Sequence, residues 1–186
     1  MKKVEGGVTA AKGFQAAGCA AGIKKEGIMD MAMIYSETPC HTAGTFTTNV
    51  VKAAPVKWDQ DIVHHHDGAQ VVVCNSGIAN ACTGEEGMGY CRATAEEAAR
   101  MLHVPETAVL VASTGVIGKQ LPMDRIKGGI AKLALMLEDT REAAALAARA
   151  IMTTDTHPKE TAVSLELGGK TVTIGSMCKG SGMIHP

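Results

Sequence analysis

Aromatic side chains are nearly missing from this chain: 186 residues hold one Trp, two Tyr and two Phe, 3% in all. A core of this size must then be filled by Ala, Val, Ile, Leu and the 11 Met. Charge of one sign is also lacking. The net charge of −1 excludes a basic footprint for nucleic acid and a polybasic membrane patch. No apolar run approaches the ~18 residues that a membrane span requires. The opening "MKKVEGGVTAAKG" has two lysines with no apolar stretch behind them, so it does not read as a signal peptide. A cytoplasmic location is the expectation. The six cysteines form no C-x-x-C pair, and the spacing of Cys74, Cys82 and Cys91 matches no zinc pattern. They read as free thiols. The "HHH" run at 64–66 sits in a polar stretch, "DQDIVHHHDG", read as loop. Adjacent histidines on a loop rarely converge on one ion, so no metal is expected there.

What is present alternates between strand-like and helix-like stretches. "IMDMAMIYS" (28–36) and the Thr-rich "TAGTFTTN" (42–49) predict strands. "AQVVVCN" (69–75) and "VLVAS" (109–113) are continuous apolar runs, as in strands covered on both faces. "TAVSLEL" and "KTVTIGS" flank Gly168-Gly169, a two-residue hairpin signal. Helices are predicted over 88–102, after a possible capping box from Thr83 to Glu86, over 123–137 behind Pro122, and over the Ala-rich 140–152. There is no repeat and no linker. The order implies one layered α/β or α+β domain over residues 1–186.

Three polar stretches carry possible chemistry. "ASTGVIGKQ" (112–120) follows a strand but fails as a phosphate-binding loop. The glycine spacing before Lys119 is short, and Gln120 stands where Ser or Thr would hold magnesium. A Thr hydroxyl beside a glycine amide is, however, the pair of donors an oxyanion hole needs. An ordinary strand-to-loop turn is the alternative. "CNSGIANACTGEEG" (74–87) offers Asn75 and Asn80 as donors, or simply a turn into a helix. The Gly-x-Gly of "GMGY" is misplaced for a dinucleotide fingerprint. "MTTDTHPKE" (152–160) is a polar loop of the kind that lines pockets. No nucleophile stands out, because Ser113 has no evident base.

Six stretches in order resemble the ornithine acetyltransferases, also called bifunctional glutamate N-acetyltransferases, of arginine biosynthesis. They are "GGVTAAKGFQAAGCAAGIK" (6–24), "TFTTNVVKAAPV" (45–56), "NSGIANACTGEEG" (75–87), "STGVIG" (113–118), "TTDTHPK" (153–159) and "KGSGMIHP" (179–186). The resemblance implies a precursor that cuts itself in two, shortly after a stretch like 179–186 and in front of a threonine. The present chain then looks like the N-terminal, or α, half, with the nucleophilic threonine first in a β chain. It implies an acetyl group moved from N-acetylornithine to glutamate through an acetyl-threonine, with acetyl-CoA as a possible further substrate and no cofactor. By resemblance, Thr114 (hydroxyl) and Gly115 (amide) form the oxyanion hole, and Thr153 and Lys179 bind substrate. The implied fold is layered, like the N-terminal-nucleophile hydrolases, with a core completed by the β chain and an α2β2 or higher assembly. The family usually carries asparagine at the position of Ile78. Two other readings compete: a self-cleaving aminopeptidase or amidase of related layout, and a non-catalytic Cys/His metal-binding module.

Overall fold

The computed structural model describes residues 1–181. Eleven strands and α-helices follow one another among the described residues: β1 (Lys2–Val4), β2 (Phe14–Cys19), β3 (Met31–Cys40), α1 (Ala54–His65), β4 (Ala69–Ile78), α2 (Glu86–Leu102), β5 (Val109–Val116), α3 (Met123–Leu135), α4 (Arg141–Ala150), β6 (Lys159–Leu167) and β7 (Lys170–Cys178), with short 3-10 turns at Val8–Ala10 and Glu106–Ala108. The architecture is mixed α/β. A four-stranded sheet runs β2-β3-β4-β5, and a three-stranded sheet runs β1-β6-β7. All pairings are antiparallel except β4 with β5, which are parallel and joined through α2. A parallel pair needs such a crossover, whereas the antiparallel β6 and β7 are joined by a two-residue hairpin.

The larger sheet is covered on both faces. Met31 and Met33 of β3, Val71 and Val73 of β4 and Val109 and Val111 of β5 pack against Ala95 and Ala98 of α2 and Ile126, Ile130 and Leu133 of α3. The intervening Ala32 of β3 and Ala16 of β2 point the other way, onto Ala147 and Ala150 of α4. This is the two-residue alternation of a strand. Alanine on both sides lets α4 lie very close. A Cβ at Gly18 of β2 would collide with the carbonyl of Leu146. The scarcity of aromatics therefore goes with thin, closely stacked layers.

Several expectations are corrected. Residues 42–49 form no strand; they are mostly exposed and have no neighbouring strand to pair with, so Thr propensity alone does not suffice. The stretch read as a polar loop is α1, with Pro55 in its first turn and Ala54, Pro55 and Ile62 buried. His64 and His65 occupy its last turn, where His65 pairs with Asp61 at 2.9 Å. The capping box does not form: Thr83 donates to Asn80 Oδ1 at 2.7 Å, and α2 begins without a side-chain cap. β3 starts at Met31 rather than at 28, because Asp30 is buried as an acceptor for the preceding loop. β1 and β2 were not anticipated. The hairpin is as expected, with Gly168 and Gly169 both at positive φ (58° and 75°), the requirement of a type I′ turn. Thr140 caps α4 by accepting from Ala143 N at 3.2 Å. No helix among the described residues is long and apolar enough to cross a membrane. Residues 182–186 of the closing stretch lie outside the described residues.

Candidate active site

The parallel pair β4–β5 ends in two glycines side by side. Asn75, Ser76 and Gly77 stand opposite Ser113, Thr114 and Gly115. Gly77 and Gly115 have φ of 110° and 137°, backbone that favours glycine, and a Cβ at Gly115 would strike the backbone of Gly77. Residue type is thus fixed by close approach. Along β5, Val116 O accepts from Ala79 N (2.9 Å), which turns the even-numbered residues toward β4. The odd-numbered ones face outward: Val109 O accepts from Trp58 Nε1 and Val111 N donates to Asp59 Oδ1, both at 2.9 Å. The same alternation directs the Gly115 N–H away from β4, free of the sheet.

A cleft of about 710 Å³ opens at this strand end, and Thr114, Gly115, Thr153 and Lys179 all line it, together with Lys24 and Ser113. The Thr114 hydroxyl has no partner among the described residues. Ser113 is committed: its hydroxyl donates to Asn75 Oδ1 at 2.6 Å. Its neighbour is an amide, not a base. Asn75 in turn donates to Ile78 O at 2.8 Å, and Asn80 donates to Gly87 O at 2.9 Å. Both asparagines are buried and serve the turn between β4 and α2 rather than the cleft.

Thr153 and Lys179 meet through a residue the sequence reading noted but did not assign. Asp155, with a side chain only 2% exposed, accepts from Thr153 N (3.2 Å), Gly180 N (2.5 Å) and Lys159 Nζ (2.9 Å). The Lys159 hydrogen bond and these amides hold its carboxyl well below the usual carboxylate range, against the opposing effect of burial. Asp155 is the post to which the turn carrying Thr153 and the strand end carrying Lys179 are both fastened. Lys179 Nζ donates to Gly180 O at 2.8 Å and lies 4.0 Å from Asp155 Oδ2. An Asp between two threonines, two residues after Thr153, was the available signal.

The remaining decoys stay apart from the cleft. The histidine run and Asp61 sit at the end of α1, and all six cysteines are free thiols. Burial pushes the Cys74 and Cys91 thiols up to about 12, the opposite of an activated thiolate. No group of three or more His, Cys, Asp or Glu side chains among the described residues is placed to hold a metal ion.

The family model described as ArgJ family matches residues 15–186. The chain belongs to the ArgJ family. It is 53% identical, over its whole length, to the "Arginine biosynthesis bifunctional protein ArgJ" of Symbiobacterium thermophilum, of which it covers 46%. It is 48% identical to the ArgJ protein of the same description from Thermosynechococcus vestitus, of which it covers 44%. The chain thus spans about half the length of the curated ArgJ relatives it matches. Among solved structures, ArgJ of Bacillus halodurans superposes with a TM-score of 0.93 at 45% identity, covering 99% of this chain and 95% of that one. The ornithine acetyltransferase of Mycobacterium tuberculosis, described as complexed with ornithine, gives 0.90 at 43% identity, covering 97% and 95%. At these identities the mixed α/β fold is that of the ArgJ crystal structures.

Proposed function

We propose that this chain supplies the oxyanion hole and one substrate wall of an acetyltransferase that moves the acetyl group of N-acetylornithine to glutamate. The nucleophile is a threonine at the start of a second chain cut from the same precursor. Its hydroxyl attacks the acetyl carbonyl while its own α-amine takes the proton. Ornithine leaves with a proton on its nitrogen, an acetyl-threonine remains, and the amine of glutamate then attacks that ester in the reverse sense. In both halves the carbonyl oxygen becomes an oxyanion, which accepts from the Thr114 hydroxyl and the Gly115 N–H. Lys179 offers an ammonium to the substrate carboxylate, and Thr153 a hydroxyl. The cycle needs no cofactor, and acetyl-CoA is a candidate second acetyl donor to the same threonine.

One observation carries this reading: residues 114, 115, 153 and 179, far apart in the chain, line one cleft in which the Ser113 hydroxyl is bound to an amide. A partner chain is supported by two coverages together. The chain spans under half of the curated ArgJ relatives yet matches 95% of the chain in each solved structure. An α2β2 or larger assembly follows as the expected form.

The test is intact mass spectrometry, under denaturing conditions, of the protein expressed from its complete gene. Two co-purifying chains are expected, the second beginning with threonine and gaining one acetyl group on exposure to N-acetylornithine. Acetyl release to water as fast as to glutamate would favour the related amidase. A single uncut chain that takes up no acetyl group would overturn the proposal.

A further inference from the structure

Lys24 lines the cleft but belongs to none of the roles above. Its backbone is fixed first. The fully buried Asp30 carboxylate accepts from the N–H groups of Ala21 (2.6 Å), Ile23 (2.6 Å) and Lys24 (2.9 Å), so the loop before β3 is wrapped on one side chain. The lysine stem then lies across Gly77: a Cβ there would stand 2.9 Å from Lys24 Cγ and 3.8 Å from Cε. Gly77 is the residue that Gly115 presses against. The stem therefore passes across Gly77, the neighbour of Gly115 in the strand pair.

The ammonium does not turn out to water, as a lysine on a surface ordinarily does. It donates to Met29 O at 3.0 Å and to Met152 O at 2.5 Å. The second acceptor matters most. Met152 O and Thr153 N belong to one peptide unit. Lys24 holds its carbonyl end, and Asp155 holds its N–H end at 3.2 Å. A cation on the oxygen and an anion on the N–H fix that plane as no single hydrogen bond does, and the plane sets where the Thr153 side chain points.

We propose that Lys24 is a positioning residue of this cleft, tying the Met152–Thr153 peptide to the Gly77–Gly115 pair so that Thr153 meets the substrate at a fixed distance from the oxyanion hole. This rests on the acetyltransfer reading above. Partial burial lowers the Lys24 pKa, while Asp30 and Asp155 raise it. A group that tolerates such desolvation is held there by its partners. Lys24 also explains how substrate binding and oxyanion stabilisation, borne by segments distant in the chain, keep one geometry.

The experiment is steady-state kinetics with N-acetylornithine and glutamate, on the self-cleaved protein from its complete gene, in a double-mutant cycle. Lys24→Met keeps the stem and removes the donor. It is expected to lower kcat/KM for N-acetylornithine by about tenfold to a hundredfold, chiefly through KM, with the unfolding midpoint little changed. Combined with Thr153→Ala it is expected to add no more than about twofold to the loss from Thr153→Ala alone, because the same contact is already gone. Combined with Lys179→Met its loss is expected to multiply. Wild-type kinetics in Lys24→Met, or losses that multiply with Thr153→Ala, would overturn the inference. If Lys24→Met fails to fold, the same cycle with Lys24→Gln, which retains one donor, decides. Failure of the wild type to acetylate at all would instead remove the acetyltransfer reading and leave the Lys24 contacts unexplained.

Discussion

In the proposed reaction Thr114 and Gly115 serve the same oxyanion, and they differ in what a substitution removes. At Gly115 any side chain collides with Gly77, so a variant there disturbs the strand pair as well as the donor. At Thr114 the hydroxyl is separable from the backbone, which stays paired with β4 opposite Ser76. Thr114→Ala is therefore the cleaner probe. Loss of one oxyanion donor lowers kcat by about a hundredfold to a thousandfold. KM for N-acetylornithine should stay within about threefold, because the planar carbonyl of the ground state draws less on the donor than the oxyanion does. Thr114→Ser should recover most of the rate. A large rise in KM with kcat preserved would assign Thr114 to binding instead. None of this was readable from "STGVIG" by itself. A strand running into Ser-Thr-Gly fits a plain turn equally well, and only the resemblance over six stretches selected the donors. Asp155 shows the same limit from the other side. Its burial follows from three partners, two of them backbone amides whose positions no local pattern announces.

The strands were more legible than the helix that guards their edge. β4 and β5 stood out because burial on both faces leaves long apolar runs in the sequence, and both continue a few residues beyond those runs. α1 did not stand out, because only Ala54, Pro55 and Ile62 of its twelve residues are buried. It works through polar atoms. Trp58 and Asp59 take up Val109 O and Val111 N, the groups a neighbouring strand would otherwise pair. The cost falls on Asp59, whose pKa burial pushes up to about 6, with the Val111 N–H opposing the shift. The folded protein then binds more protons at this site than the unfolded chain between the ordinary value near 4 and about 6. The site's contribution to stability is full below that window and lost as pH rises through it. At about 1.4 kcal/mol per pH unit, the loss by neutral pH is about 3 kcal/mol. Asp59→Asn keeps an oxygen for Val111 N and carries no charge. It should raise the unfolding midpoint by several degrees at pH 8, and the gain should shrink toward pH 5. A gain equal at both pH values, or a loss at pH 8, would show that ionised Asp59 is not the strained state.

The molecule as a whole exposes more surface than its mass accounts for. A compact monomer of 19.3 kDa has an accessible surface of roughly 8,500 Å², against 10528 Å² for this chain. The difference exceeds the ~800 Å² that one partner commonly buries in a stable interface. Apolar side chains are among the exposed ones: Val116 and Ile117 at the lip of the cleft are 60% and 63% exposed, and Ile174 of β7 is 52% exposed. The first two stand just past the oxyanion pair, where the nucleophile of the proposed second chain must arrive. The same surface that completes the site would then complete the core. Residues 1–186 produced alone should accordingly unfold without a cooperative transition or associate. Co-expression with the remainder of the gene should give one sharp transition and acetyltransfer activity. Calorimetry with size-exclusion chromatography separates the cases. A cooperative, monomeric transition for residues 1–186 alone would mean that the layered core closes by itself, and the exposed lip would then serve the cleft rather than the fold.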